Sequence, residues 1–475
     1  MSIDTADERA TRRTLTGPAA PPPRLLSPEY RSLVVGVVGV VVAVAFEAIA
    51  VATAMPVAAR ELGGLQQYGL AFSVFLTTSL LGMVVAGEVS DRRGPVVPFV
   101  VAAVTFGVGL VIAGAAPSML VLVIARAVQG FGAGLNIVSL YVVVGRAFPA
   151  ELRPRVFSAI SSGWVVPSLV GPPVAGLLAD HVSWRWVFFG VLPLLVGAGL
   201  LVGPHLRGLD GPAEGARPEQ RRRGRLPGAV LAAAGAGLFQ YAGQQLTERP
   251  PLAGGLLVVA VVLLGVGVPR LLPPRSFRLG RGLPSVVVLR GVMAGAFFGA
   301  ETFIPLMLVQ QRDIATTLAG ASLTGAALTW TLGAWLQGRP TLRTPRWVLV
   351  CTGFLLVLAG IGLAAAATVD SVPAVSAAVG WTVAGLGMGL GLTSLSVLVL
   401  ALSPVADQGA NSASLQVSDA LGSVLSIGAA GAVFASLTAG HAPGARPYLA
   451  VDAIMAVLCL VGAAAAVRVR GGDTP

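Results

Sequence analysis

Ala125-Arg126-Ala127-Val128-Gln129-Gly130-Phe131-Gly132-Ala133-Gly134 lies inside an apolar run from about Leu120 to Phe148. A run of that length crosses a bilayer, which takes roughly 20 apolar residues. An arginine inside such a run is costly against lipid, so Arg126 must face protein or water. At helical spacing Arg126, Gln129, Ala133 and Asn136 share one face, leaving Leu122, Ile124 and Val128 for the rest of the surface. The glycines at 130, 132 and 134 let a neighbouring helix come close. Two readings of Arg126 stand. It is a structural arginine in a helix–helix bond, or a charge on a solute or proton pathway, and the second is the expectation adopted.

The wider chain is of the same kind. Of its 475 residues 55% are hydrophobic and only 11% charged, and the mean hydropathy is +0.83. Soluble domains carry about 25% charged residues, so the chain reads as an all-α integral membrane protein with little length left for a soluble domain. The net charge of +11 tempts a nucleic-acid reading, but its distribution argues against that partner. All 32 basic residues are arginine, which reads as coding bias rather than chemistry. Cys351 and Cys459 stand singly in apolar segments, so neither a disulfide framework nor a metal site is expected.

Residues 1–30 are polar and Pro-rich, with no apolar core leading to a cleavage site, and read as a disordered cytoplasmic tail. Fourteen apolar segments follow, at roughly 33–55, 68–89, 97–116, 119–148, 155–179, 186–204, 228–247, 253–272, 285–310, 318–337, 347–368, 374–402, 412–437 and 448–467. Helices are the expected spans, because a backbone in lipid must satisfy its own polar groups and no alternating strand pattern is present. One set of alternate loops holds Arg92, Arg93, Arg146, Arg153, Arg155, the arginines of 205–226, then Arg270, Arg275, Arg278, Arg281, Arg339, Arg343 and Arg346. The other set holds Arg60, Arg185, Arg249, Arg312 and Arg446. That asymmetry places both termini in the cytoplasm and calls for an even number of spans. The 205–226 loop, with Arg221-Arg222-Arg223, is the clearest linker; its run either obeys the positive-inside rule or meets anionic lipid. The expected plan is a six-helix bundle at 31–206, the loop and two inserted helices at 207–284, and a second six-helix bundle at 285–470. A weak repeat supports the split: span one reads Ala45-Phe46-Glu47 and span nine Phe297-Phe298-Gly299-Ala300-Glu301, each with one buried glutamate in its outer part. Repeated halves with a site between them are a transporter architecture.

Between spans two and three stands Gly87-Glu88-Val89-Ser90-Asp91-Arg92-Arg93-Gly94. Gly87 allows helix contact, Asp91 and Arg92 can bond charged groups at helix ends, and Gly94 permits a tight turn. The segment resembles the Gly-x-x-x-Asp-Arg-x-Gly motif of the major facilitator superfamily, which implies a latch (Gly87, Asp91, Arg92, Gly94) holding two halves together in the outward-facing state. Where the family usually continues with two basic residues, this chain has Pro95 and Val96. The Arg126 stretch resembles the family's Arg-x-x-Gln-Gly-x-Gly motif, associated with proton coupling. Gly163, Pro167, Gly171, Pro172 and Gly176 in span five resemble the motif of its antiporters. Physically, Pro172 removes a backbone bond and the glycines allow a kink and close packing. Trp184-Arg185-Trp186 is either an interfacial aromatic belt or similar to a tryptophan pair of the drug:proton antiporter branch, to which fourteen spans also point.

Counting 1.5 Å per residue, Glu47 lies about 12 Å and Arg126 about 9 Å from the outer ends of their helices, so a salt bridge or shared water is feasible. The drug:proton branch often has an aspartate in helix one; here Glu47-Ala48-Ile49-Ala50-Val51-Ala52 substitutes glutamate. A changing separation of carboxylate and guanidinium would bind and release a proton, the alternative being a static pair. Glu301 and Asp419 are further intramembrane acids, functional by default, although Asp419 has a bond to Ser418, Ser423 or a facing helix as its bland alternative. Asp452 reads as interfacial. His181, His205 and His441 fall in loops, and no catalytic triad, metal cluster or phosphate loop is present, so neither an enzyme nor a cofactor is expected.

The resulting expectation is a proton-coupled exporter of amphipathic or cationic small molecules, working as a monomer among membrane lipids in a bacterial cell membrane. Proton coupling is expected of Glu47, Arg126, Glu301 and Asp419. The substrate cavity is expected to include Phe46, Gln129, Asn136, Phe298 and Phe303, with Met55, Phe297 and Met307 nearby, plain packing being the alternative for these apolar side chains. An exporter of an endogenous lipid or secondary metabolite, a symporter, and a non-transporting scaffold or sensor acting through the tail and the 205–226 loop are the rival readings.

Overall fold

The computed structural model describes residues 25–149, 152–207, 209, 225–246, 249–337, 344–404, 408–438 and 444–470. The expectations for residues 1–24, for most of the 205–226 loop with its Arg221–Arg223 run, and for His441 lie outside the described residues, as does the side chain of Asp91. Among the described residues the regular structure is helical.

The first four spans are continuous: α1 (Arg31–Glu61), α2 (Tyr68–Arg93), α3 (Val96–Gly114) and α4 (Met119–Ala147). Ser118 caps α4 by accepting from the Val121 amide at 3.4 Å. Span five is broken at Gly163-Trp164 into α5 (Arg153–Ser162) and α6 (Val165–His181). Pro167 has no N–H to offer the Gly163 carbonyl, so the helix restarts there. Span six is broken at Gly190 into α7 (Trp186–Phe189) and α8 (Val191–Val202). The two inserted segments form α9 (Arg225–Gln244) and α10 (Pro250–Gly267). Span nine divides into α11 (Leu283–Glu301) and α12 (Ile304–Gln310), because Pro305 cannot bond the Glu301 carbonyl. Span ten divides into α13 (Thr316–Ala321) and α14 (Thr324–Gln337); α15 (Arg346–Ala366), α16 (Val375–Ala401), α17 (Gln408–Thr438) and α18 (Ala445–Ala465) complete the chain. Eleven helical stretches among the described residues are long and apolar enough to cross a membrane. The expected segments at 155–179, 228–247 and 318–337 are helical but not among those eleven; the first and last are broken, as are spans six and nine, which do count among them. His181 closes α6 and His205 lies in a 3-10 turn, where Ser32 Oγ is 3.2 Å from its Nε2, so neither is a simple loop residue.

Two clusters of helices result, one from α1–α8 and one from α11–α18, and glycine sets the spacing within each. A side chain on Gly130 or Gly134 of α4 would strike the α2 backbone at Phe75 and Ser79. In the second cluster Gly291 and Gly422 join α11 to α17, and Gly360 and Gly380 join α15 to α16, each through backbone contact. Helix α9 packs on α2, α17 and α10, with Gln240 Nε2 donating to Thr77 Oγ1 at 3.0 Å, so the insertion seals one flank of the seam between clusters.

Direct bonds across the seam gather at one end, the end that carries Glu61 and Trp184. Tyr68 Oη donates to the Thr302 carbonyl at 3.0 Å. The Thr317 amide and hydroxyl both donate to Asp180 Oδ2, at 3.0 and 2.8 Å. Gly69 sits against Gly431, Gly176 against Thr317 and Gly320 against Thr53.

Candidate functional site

Helix α4 projects Arg126 and Gln129 toward α1 and α2, and the close α2–α4 approach brings an acceptor and an aromatic ring within reach of the guanidinium. Arg126 Nη1 donates to Glu47 Oε1 and, at 2.7 Å, to Gln129 Oε1; its Nε donates to the Ala71 carbonyl at 3.2 Å. The guanidinium carbon lies 4.2 Å from the centre of the Phe75 ring. Glu47 is 0% and Arg126 2% exposed, so the ion pair is withdrawn from solvent. A buried pair of this kind stays ionised only while its remaining donors and acceptors are satisfied. Three polar atoms here are not: Glu47 Oε2, Gln129 Nε2 and Asn136 Nδ2 have no hydrogen-bond partner among the described residues.

A second polar site lies across the seam. Glu301 ends α11 and accepts from Trp381 Nε1 of α16 at 3.4 Å. The buried Trp381 ring stacks on Phe297 with centroids 4.6 Å apart, and Trp330 meets Phe297 edge-on at 5.8 Å. The third site was not legible in the acids alone. Asp419 of α17 is held by Arg290 of α11, whose Nε lies 3.1 Å from Oδ1 and whose Nη2 donates to Oδ2 at 3.2 Å. Arg290 Nη1 also donates to the Leu392 carbonyl and to Ser396 Oγ, at 3.2 and 3.0 Å. Of the alternatives weighed for Asp419, the facing helix holds the carboxylate, while Ser423 Oγ donates only to its backbone carbonyl at 2.9 Å. Arg290 escaped the sequence reading although the criterion that singled out Arg126, an arginine inside an apolar span, applies to it equally.

The expected cavity residues do not converge. Gln129 and Asn136 are buried in the first cluster, and Phe298 is half-buried beside Trp330 in the second. Phe46 is half-buried on α1, close to Gly171. Phe303 is 3% exposed and packs at the seam between Tyr68 and Phe434, at 5.6 and 5.1 Å. Asp452 lies well inside α18, lining a cavity with Tyr448 and Phe303 that has room for about one water, so it is not simply interfacial.

The motif residues divide similarly. Gly94 turns the chain with φ +83°, a backbone that glycine adopts without strain. Gly87, expected to permit helix contact, has nothing among the described residues within 4 Å of where a side chain would stand. Arg92 is exposed and pairs with Glu88 of its own helix at 2.5 Å. In the span-five motif, Pro167 and Pro172 are buried inside α6, Gly176 packs on Thr317 across the seam, Gly163 is tight against Val41, and Gly171 has room for a methyl group beside Ile49. Trp184 is 1% exposed, and its Nε1 donates to Glu61 Oε2 at 2.8 Å, which is more than an aromatic belt explains; Trp186 is exposed. Arg185 joins Glu61 to the Ala116 carbonyl, at 2.5 and 3.1 Å.

Known proteins match this arrangement. Over 311 residues the chain is 30% identical to "Uncharacterized MFS-type transporter Rv1877" of Mycobacterium tuberculosis, a match covering 62% of this chain but only 44% of that protein, so this chain spans less than half of the relative's length. It is 26% identical over 419 residues to "Probable multidrug-efflux transporter Rv1634" of the same species, covering 85% of this chain and 87% of the relative. Among solved structures, the POT family transporter PepTSo superposes with a TM-score of 0.68 at 13% identity, over 92% of this chain and 99% of that one, a likeness of fold alone. The family model described as Major Facilitator Superfamily matches residues 35–427, and the chain belongs to that superfamily of membrane transporters.

Proposed function

We propose that this chain is a proton-coupled exporter of amphipathic or cationic compounds, working by alternating access in a bacterial cell membrane with both termini in the cytoplasm. The carrying observation is the Glu47–Arg126 pair, fully withdrawn from solvent on spans one and four. Its geometry suits coupling. When a proton neutralises Glu47, Arg126 keeps the Ala71 carbonyl, Gln129 and the Phe75 ring as partners, so losing the carboxylate does not strand the guanidinium. The free Oε2 is the atom that would take that proton.

On this reading the Trp184 end is the outer face, closed by Tyr68, Asp180 and Thr317, while among the described residues Gly87 touches nothing across the seam and Arg92 pairs only within its own helix, which fits an inward-facing state. Fourteen spans, two six-helix halves at 31–206 and 285–470 and an inserted pair at 207–284 complete the assignment. Multidrug efflux in the name of the Mycobacterium tuberculosis relative supports the substrate class. Glu301 with Trp381, Phe297 and Phe298 offers one carboxylate amid aromatic rings, which suits a lipophilic cation better than a sugar.

Purified protein in liposomes under an imposed pH gradient tests the proposal, with ethidium as the transported cation. Gradient-driven transport by the wild type that vanishes in Glu47→Gln is the expected result. A wild type that moves protons with some other solute but not ethidium would retain coupling and remove the drug-export assignment. Equal behaviour of wild type and variant would make Glu47 structural.

A further inference from the structure

The segment joining α10 to α11 is folded back onto the end of α18 and builds a cleft there. The Gly282 amide donates to the Arg468 carbonyl at 2.8 Å, and Arg468 Nη1 donates to the Leu279 carbonyl at 3.2 Å. Arg275, Leu279 and Gly282 all take positive φ, at 67°, 47° and 80°. These reversals turn the short 3-10 helix Ser276–Arg278 so that Ser276 is buried and donates to the Pro273 carbonyl at 2.7 Å, while Phe277 stands 67% exposed. Positive φ at two non-glycine residues is costly, and the stitching to α18 holds it.

The cleft has a volume of about 510 Å³ and is lined by Phe277, Arg278, Val461, Ala464, Ala465 and Arg468. Its chemistry is divided. Two exposed arginines line it beside apolar side chains, and Val461 joins it to the outward face of α18, where Val457, Leu460 and Val461 are each more than half exposed. Positive charge is concentrated here: residues 270–281 hold four arginines and no acid, and Arg468 and Arg470 follow the last helix. Arg278 makes no side-chain bond among the described residues.

We propose that this cleft binds an anionic phospholipid, its phosphate between Arg278 and Arg468 and an acyl chain along Val461 and Ala464, with Phe277 flanking it at the interface. Arginines gathered at the cytoplasmic ends of membrane helices attract acidic headgroups, and an interfacial aromatic anchors beside them. Among the described residues the lining holds two arginines and no carboxylate to meet the ammonium of a zwitterionic headgroup, which favours the anionic class. The apolar wall selects a lipid over a free phosphate. This site is far from Glu47 and stands whether or not the chain couples protons.

Full-length purified protein, delipidated and titrated with phosphatidylglycerol or phosphatidylcholine in mixed micelles, gives the test, with bound lipid counted by native mass spectrometry. The wild type retains phosphatidylglycerol selectively. In Arg278→Gln/Arg468→Gln that retention weakens about thirtyfold, and in Arg278→Gln alone about fivefold. The single variant matters because Arg468→Gln also loses the bond to Leu279, whereas Arg278 holds nothing in place; Arg278→Lys restores most of the loss. Equal retention of both lipids by the wild type, or unchanged phosphatidylglycerol retention in the double variant, overturns the proposal. Full displacement by excess inorganic phosphate also overturns it, since the site would then be for a free anion.

Discussion

Arg126 grips only one oxygen of the Glu47 carboxylate: Nη1 donates to Oε1, while Oε2 is buried without a partner. The guanidinium meanwhile holds the Ala71 carbonyl and Gln129. The two partners are therefore unequal, because Arg126 has other acceptors and Glu47 has no other donor. Arg126→Ala should be the more damaging single change, since it strands a buried carboxylate, at a cost of about 3–5 kcal/mol if that group stays charged. Glu47→Gln should cost less, and the double Glu47→Gln/Arg126→Gln less than the sum of the two singles. Thermal unfolding in detergent across the cycle measures the coupling; strict additivity would mean the two side chains do not interact.

The seam bonds at the Trp184 end make a second prediction. Asp180→Ala removes the acceptor of both Thr317 donors, a loss of about 1 kcal/mol, which should raise the opening of that end about fivefold. A cysteine in place of Thr53, which packs against Gly320, reports it. In a background lacking Cys351 and Cys459, an impermeant maleimide added to intact cells should label that cysteine about fivefold faster with Asp180→Ala. An unchanged rate would show that other contacts, such as Gly69 on Gly431, keep the end shut.

Much of this was legible in the sequence because bilayers leave few options. Apolar runs of fixed length must be helices, and an arginine within one must find a partner, so Arg126 announced a site. Similar depth in two helices then nominated Glu47. What was not legible depended on the seam. Phe303 reads as cavity lining by composition, and only the fold shows its ring packed at the seam between Tyr68 and Phe434. Gly87 reads as a contact glycine, but whether it touches anything depends on how the two clusters are tilted, which no local pattern encodes. Trp184 and Trp186 read alike, as an interfacial belt or a family tryptophan pair; only the fold shows that one ring turns inward to Glu61 while the other stays exposed.

That inward turn carries a third prediction. Trp184→Phe removes the indole donor and leaves Glu61, half-exposed, free to bind water and Arg185, so it should cost no more than about 1 kcal/mol. Glu61→Ala removes the acceptor and leaves a buried indole N–H, with a penalty of about 1–3 kcal/mol. The Arg185–Glu61 ion pair adds little, at most about 1 kcal/mol, because solvent screens it. Thermal unfolding should therefore rank Glu61→Ala below Trp184→Phe. The reverse order would mean that ring packing, not the bond, fixes Trp184.

Asp419 and Glu47 are both acids within spans, but their surroundings argue for different work. Arg290 sets its fork against both oxygens of Asp419, with a hydrogen bond to Oδ2 and charge proximity alone at Oδ1, and the same guanidinium reaches Leu392 and Ser396, so one residue ties α11 to α16 and α17. Gly291 and Gly422 press their backbones together beside it, which leaves little freedom for the pair to part. Asp419 Oδ1, like Glu47 Oε2, has no hydrogen-bond partner among the described residues, but the Arg290 Nε charge stands 3.1 Å from it and opposes a proton there. Asp419→Asn should therefore lower thermal stability, by about 1–3 kcal/mol for a tightly coupled pair, yet leave pH-driven transport in liposomes working. Glu47→Gln should do the opposite, stopping the transport while the fold survives. Exchanging the charges, Arg290→Asp with Asp419→Arg, should recover part of the stability lost in either single reversal. If instead Asp419→Asn abolishes gradient-driven transport at unchanged stability, the fork opens during the cycle and Asp419 belongs with Glu47 among the coupling acids.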